Sequence, residues 1–133
     1  MLSPTVANLI QFDIIGIMKM TEAIAALGAI ASEARLSVYQ LLVKRGPQGF
    51  TPTDLAKRLD LPAPTLSFHL NVLARAGLVT SRREGRNLYY SPNFGRVNAL
   101  VAFITANCCS LADGECAPDC QPLTAPNQQR KRA

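Results

Sequence analysis

Apolar residues recur with helical spacing over most of the chain, and the period shortens only once, after Gly77. A short helix is predicted over residues 21–27. Ser32 is placed to cap a second helix, SEARLSVYQLLVKR, with Leu36, Tyr39 and Val43 on one face and Leu41 and Leu42 widening it. So broad an apolar face belongs in the middle of a helical core. Lys44 and Arg45 complement the negative end of its dipole, and Gly46 and Pro47 stop it. Thr51 caps a third, short helix with Pro52 in the first position and Asp54 three residues after the cap. Leu55 and Leu59 face inward from it. A fourth helix is predicted over residues 63–76, with Leu66, Leu70 and Leu73 as its buried stripe. LVTSRR and NLYYSP then alternate like strands around Gly85, a hairpin signal. Asn93 caps the last helix, FGRVNALVAFITANCC, with Val97, Val101, Ile104 and Cys108 on one face.

The order is four helices, a hairpin and a helix, with a tight turn between the third and fourth helices. The fold class is therefore mainly α with a small β-hairpin: a helix-turn-helix followed by a wing. Three segments are expected. They are an N-terminal extension over 1–18, a winged helix-turn-helix domain over 19–109, and a cysteine-containing, largely flexible tail over 110–133. No internal repeat is visible.

Charge sharpens this picture. The net charge is +5 over 133 residues. Residues 51–96 hold seven basic and three acidic side chains, so that stretch alone carries +4. A local basic surplus on a small domain points to a polyanion, although a solvated surface has the same composition. With the leucine stripe turned in, Pro64, Thr65, Ser67, Phe68, Asn71 and Arg75 point outward from the fourth helix. Thr65, Ser67 and Asn71 suit base edges, and Phe68 can contact a thymine methyl or a sugar. Arg82, Arg83 and Arg86 are assigned to the wing tip, within reach of phosphates or the minor groove. His69 is the only histidine and flanks the leucine stripe, where a half-buried packing role is expected. A lone histidine inside that helix leaves no base for a thiol nucleophile, so an enzyme is not expected.

No apolar run is long enough to span a bilayer, and the apolar first eighteen residues lack a basic leader. A cytoplasmic protein with no membrane partner is expected. The four cysteines, Cys108, Cys109, Cys116 and Cys120, all lie in NCCSLADGECAPDC. Clustered thiols in a reducing compartment favour capture of a soft ion, or redox sensing, over a disulfide framework. A structural zinc site and a redox switch stay open, although closed zinc sites usually use CxxC pairs.

The segment TPTDLAKRLDLPAPTLSFHLNVLARAGLVTSRREGRNLYY resembles the winged helix-turn-helix of the ArsR family of metalloregulatory repressors. SEARLSVYQLL, TLSFHLNVLARAGLV and REGRNLYY carry the resemblance, which covers residues 21–108. It implies a homodimer joined through the first and last helices, bound to double-stranded operator DNA with an inverted repeat. It implies that the helix over 63–76 enters the major groove, and that inducer binding releases the repressor. It further implies trivalent arsenic or antimony as inducer, held by Cys108, Cys109 and Cys116, with no other cofactor required. Cys120 would be a substitute, a spare or a fourth ligand. The chemistry agrees, because As(III) and Sb(III) are thiophilic and favour a three-coordinate pyramid. Adjacent helical residues point roughly 100° apart, so both cysteines reach one ion only near a frayed helix end. Gly114 gives the following loop freedom to return Cys116. The alternative within the same fold is a repressor that senses thiol oxidation or Cd, Pb or Zn.

Overall fold

The structure, a computed structural model, describes residues 18–114. The extension over 1–17 and the tail from 115 onward, with Cys116 and Cys120, lie outside the described residues. The elements run α1 Met20–Ile30, α2 Glu33–Arg45, a 3-10 turn Gly46–Gln48, α3 Pro52–Leu59, α4 Ala63–Arg75, β1 Val79–Glu84, β2 Asn87–Pro92 and α5 Phe94–Ile104.

Four of the five helix starts are set by a local polar contact, and α4 begins after Pro62 without a side-chain cap. The Lys19 amide donates to Glu22 Oε1 at 2.9 Å at the head of α1. Ser32 Oγ accepts from the Arg35 amide, Thr51 Oγ1 from Asp54 and Asn93 Oδ1 from Arg96. These bonds satisfy amides that have no partner within the helix. Gly46, at φ 85°, ends α2 in a backbone region open to glycine. Asp60, at φ 55°, ends α3 in the left-handed region.

The core forms where α1, α2, α3 and α4 converge under the wing. Val38, Leu42, Leu55, Leu66, Leu70, Leu73 and Leu78 are fully buried. The leucine stripe of α4 therefore faces inward as the spacing predicts, and Leu55 with half-buried Leu59 does the same on α3. β1 and β2 pair antiparallel from Val79 with Pro92 to Glu84 with Asn87, leaving Gly85 and Arg86 as the tip. Phe50 adds a one-residue third rung, exchanging backbone bonds of 2.9 and 2.8 Å with Tyr90. Gly49 has to be glycine here, since a Cβ would sit 2.6 Å from the Tyr90 carbonyl oxygen. Among the described residues, no helix is long and apolar enough to cross a membrane.

The structure corrects the sequence in three places. α1 is longer than 21–27. In α2 the buried set is Val38, Tyr39 and Leu42, whereas Leu36 and Val43 are exposed. Six apolar residues spread over 36–43 cover too wide an arc for period alone to choose the buried line. α5 stops at Ile104 instead of running to Cys109. Thr105 Oγ1 bonds back to the Val101 carbonyl at 2.9 Å, and Asn107 takes φ 59°. Both features favour helix termination over continuation. The apolar face read for α5 is not covered within the single chain: Leu100 is the one buried position of the helix, Val97 is half-buried, and Val101 and Ile104 are exposed.

Candidate nucleic-acid interface and thiol site

α3 and α4 form the helix-turn-helix, joined by Asp60, Leu61 and Pro62. Because the stripe of α4 is fixed in the core, its other face is presented whole. Thr65, Ser67, Phe68, Asn71 and Arg75 are all exposed. His69 is half-buried, with Nδ1 buried and no hydrogen-bond partner among the described residues. Its ring meets Phe68 edge to face at a centroid separation of 5.6 Å. It is thus a packing residue beside the exposed face.

The wing treats its arginines differently. Side chains alternate between the faces of a strand. Arg82 lies opposite Tyr89 in the ladder and Arg83 opposite Leu88. Arg82 stacks on Tyr89 at 5.0 Å, donates to the Pro47 and Gln48 carbonyls at 3.2 and 3.0 Å, and pairs with Glu84 at 2.8 Å. Its guanidinium ties the wing to the 3-10 turn and lies below the tip. Arg83, on the opposite face, and Arg86, in the tip, are exposed.

A basic feature that sequence reasoning missed lies at the same edge. The buried Phe50 ring is flanked by the guanidinium carbons of Arg45 at 5.0 Å and Arg58 at 4.9 Å. Cation–π attraction on a desolvated ring holds both charges near the base of the wing. No sequence signal marked it, because Arg45 and Arg58 belong to different helices and Phe50 sits in a loop.

The thiol site begins where α5 ends. Residues 105–111 form successive turns, with Ser110 bonded to Asn107 and Ala112 to Cys109. Cys109 takes φ 61°. This backbone brings the Cys108 and Cys109 sulfurs to 3.6 Å, with Cys108 half-buried and Cys109 exposed. Among the described residues no three His, Cys, Asp or Glu side chains cluster for a metal. The structure thus places two of the predicted ligands together, and Cys116 and Cys120 lie outside the described residues.

A helix-turn-helix domain model matches residues 30–82. The probable mercury resistance operon repressor of Streptomyces lividans is 34% identical over 92 residues, covering 69% of this chain and 69% of that protein. The arsenical resistance operon repressor of Bacillus subtilis is 31% identical over 91 residues, covering 66% of this chain and 83% of that one. The chain belongs to the ArsR family of transcriptional regulators. An ArsR-like regulator from Rhodococcus sp. RHA1 superposes with a TM-score of 0.55 at 28% identity, over 60% of this chain and 73% of that one. The ArsR-family protein described here is accordingly a DNA-binding regulator with a winged helix-turn-helix, and not an enzyme.

Proposed function

We propose that this ArsR-family protein is a homodimeric repressor of an arsenic-resistance operon, released from its operator when As(III) or Sb(III) binds Cys108, Cys109 and Cys116. The observation that carries the reading is the 3.6 Å approach of the Cys108 and Cys109 sulfurs. Two thiolates bound to one soft ion at about 2.3 Å, the Zn–S length, lie at most about 4.6 Å apart. A straight helix would splay these side chains; the end of α5 at Ile104 and the left-handed backbone at Cys109 are what relieve that. Two relatives are named for mercury and arsenical resistance, and both elements are thiophilic, which supports a soft ligand here.

DNA is bound by the exposed face of α4 in the major groove and by Arg83 and Arg86 on phosphates. Arg82 braces the wing that carries them. The dimer reading rests on two apolar faces left uncovered in the single chain. Met20, Ile24 and Leu27 on α1 are 62%, 60% and 47% exposed, and Val101 and Ile104 on the adjacent α5 are 43% and 58% exposed. Both sets follow helical spacing, and a second copy covers them by pairing each face with its own equivalent. Drawing the cysteines around one ion would then strain the helix end at the dimer seam. Two recognition helices must keep a spacing of about one DNA turn, so a change at the seam is felt at the operator.

The test is operator binding of the wild type and of Cys108→Ser, Cys109→Ser and Cys116→Ser, titrated with As(III), methylarsenite, Sb(III), Cd(II) and peroxide. Each variant should bind DNA like the wild type and fail to dissociate with As(III). Wild-type release by peroxide or Cd(II) but not by As(III) would replace the inducer with an oxidant or a soft divalent ion. Normal release of Cys116→Ser alongside a silent Cys120→Ser would move the third ligand.

A further inference from the structure

Phe68 is the one large apolar side chain that α4 leaves in water, 56% exposed among neighbours suited to polar contacts. The core has no use for it, since Leu66, Leu70 and Leu73 already fill the inner face to 2% exposure or less. Leaving an aromatic ring largely in water forgoes the stabilisation that burial would supply. The ring is nevertheless steered, its position set by the edge-to-face contact with half-buried His69 at 5.6 Å and 62°. Thr65 and Asn71 stand three residues before and after it, so on a helix the three side chains are neighbours on one stripe. Phe68 therefore sits between two groups able to bond base edges, and itself has neither donor nor acceptor.

The major groove offers such a ring a single apolar partner, the C5-methyl group of thymine. Against a G·C edge the ring would cover amino and carbonyl groups without replacing their water bonds, which is unfavourable. A sugar contact would be independent of sequence, and it would not call for a ring at the centre of the reading face. We infer that Phe68 recognises the C5-methyl of a pyrimidine between the bases contacted by Thr65 and Asn71. The same group, at the same ring position, is present in 5-methylcytosine. Binding at that base pair is therefore sensitive to cytosine methylation. The inference rests on the reading of α4 as the DNA-recognition helix and deepens it by naming the group recognised.

The experiment uses the full chain and a duplex selected by it from a random library. Each thymine is replaced singly by deoxyuridine, which removes only the methyl, and affinity is measured at fixed salt. In the wild type, one position per half-site should lose about three- to fivefold on loss of one buried methyl. Phe68→Ala should be indifferent to deoxyuridine there, and Phe68→Leu should keep part of the effect. With cytosine at that position, methylation to 5-methylcytosine should restore affinity in the wild type and not in Phe68→Ala. The wild-type scan requires no variant, so it decides the matter even if a substitution disturbs folding. A wild type insensitive to every thymine methyl would overturn the inference, as would a Phe68→Ala protein with undiminished sensitivity. A wild type that selects no duplex at all would overturn the DNA-binding reading beneath it.

Discussion

Tyr39 sits in the core at 7% exposure, and its hydroxyl is buried with no hydrogen-bond partner among the described residues. Burial pushes its pKa above the usual phenol value, because the charged form would lose its water. An unmade hydrogen bond of this kind costs about 1–3 kcal/mol, whereas an apolar group of the same shape does not. Tyr39→Phe should therefore be neutral or stabilising by about 1 kcal/mol in urea unfolding at neutral pH. The sign with pH follows from the raised value. The neutral phenol's advantage in the fold is intact below about pH 10, the unfolded value, and is lost as pH rises through the folded one. Tyr39→Phe should lack that alkaline component, and an identical pH profile in both proteins would show that the hydroxyl is solvated. Gly77 is the contrasting residue, the point after which the sequence period shortens. It ends α4 at φ 81° and accepts from Asn93 Nδ2, and a Cβ would lie 2.6 Å from Arg96 Nε.

The wing is the element in which equal charges have unequal roles. Arg82 and Arg83 are adjacent in SRREGR, and nothing in that run distinguishes them. Strand alternation turns Arg82 toward Tyr89 and the Pro47–Gln48 carbonyls and leaves Arg83 in water. Arg82→Ala should lower stability by about 0.5–1.5 kcal/mol through lost hydrogen bonds, discounted because the side chain is partly exposed. Arg83→Ala should leave the melting temperature unchanged. It should weaken binding to all duplexes alike and reduce the salt slope of log K by about 0.9, one phosphate contact. Salt titrations together with thermal melts separate the two, and loss of stability in Arg83→Ala would reverse the assignment. α5 teaches the same lesson about reach. Its apolar period runs on to Cys108, yet the helix ends four residues earlier, where Thr105 Oγ1 bonds back to the Val101 carbonyl and Asn107 takes a left-handed backbone.

At the scale of the whole molecule the dominant fact is what the single chain does not cover. Ile24 on α1 and Ile104 on α5 are 60% and 58% exposed on elements that touch each other. Ile24→Glu or Ile104→Glu should give a folded monomer with an unchanged helical signal that no longer holds a two-half-site operator. Sedimentation equilibrium and a gel-shift titration check the two halves of that statement. A variant that remains dimeric would place the seam elsewhere. The exposed stripe on α5 was read from the sequence as one face, and that face does exist; the single chain shows it turned to water, because the sequence states that residues are apolar and not what covers them.

What the sequence determined by itself was local or periodic. Caps at Ser32, Thr51 and Asn93, the stop at Gly46, the inward leucines of α4 and the turn at Gly85 each depend on residues within one or two turns, so order and spacing suffice. The outward face of α4, with Thr65, Ser67, Phe68, Asn71 and Arg75, followed from the inward one. Tertiary structure alone decided contacts between residues far apart in the chain. Arg82 reaches carbonyls 34 and 35 positions away, Phe50 gathers Arg45 from α2 and Arg58 from α3, and packing selected Val38 and Leu42 over Leu36 and Val43. The approach of Cys108 to Cys109 is local, yet no apolar period announces it, because it depends on the irregular backbone at the end of α5. Helical and strand periods are set by each residue's own dihedrals and close neighbours, whereas meetings between distant residues are chosen by the packing of the whole chain.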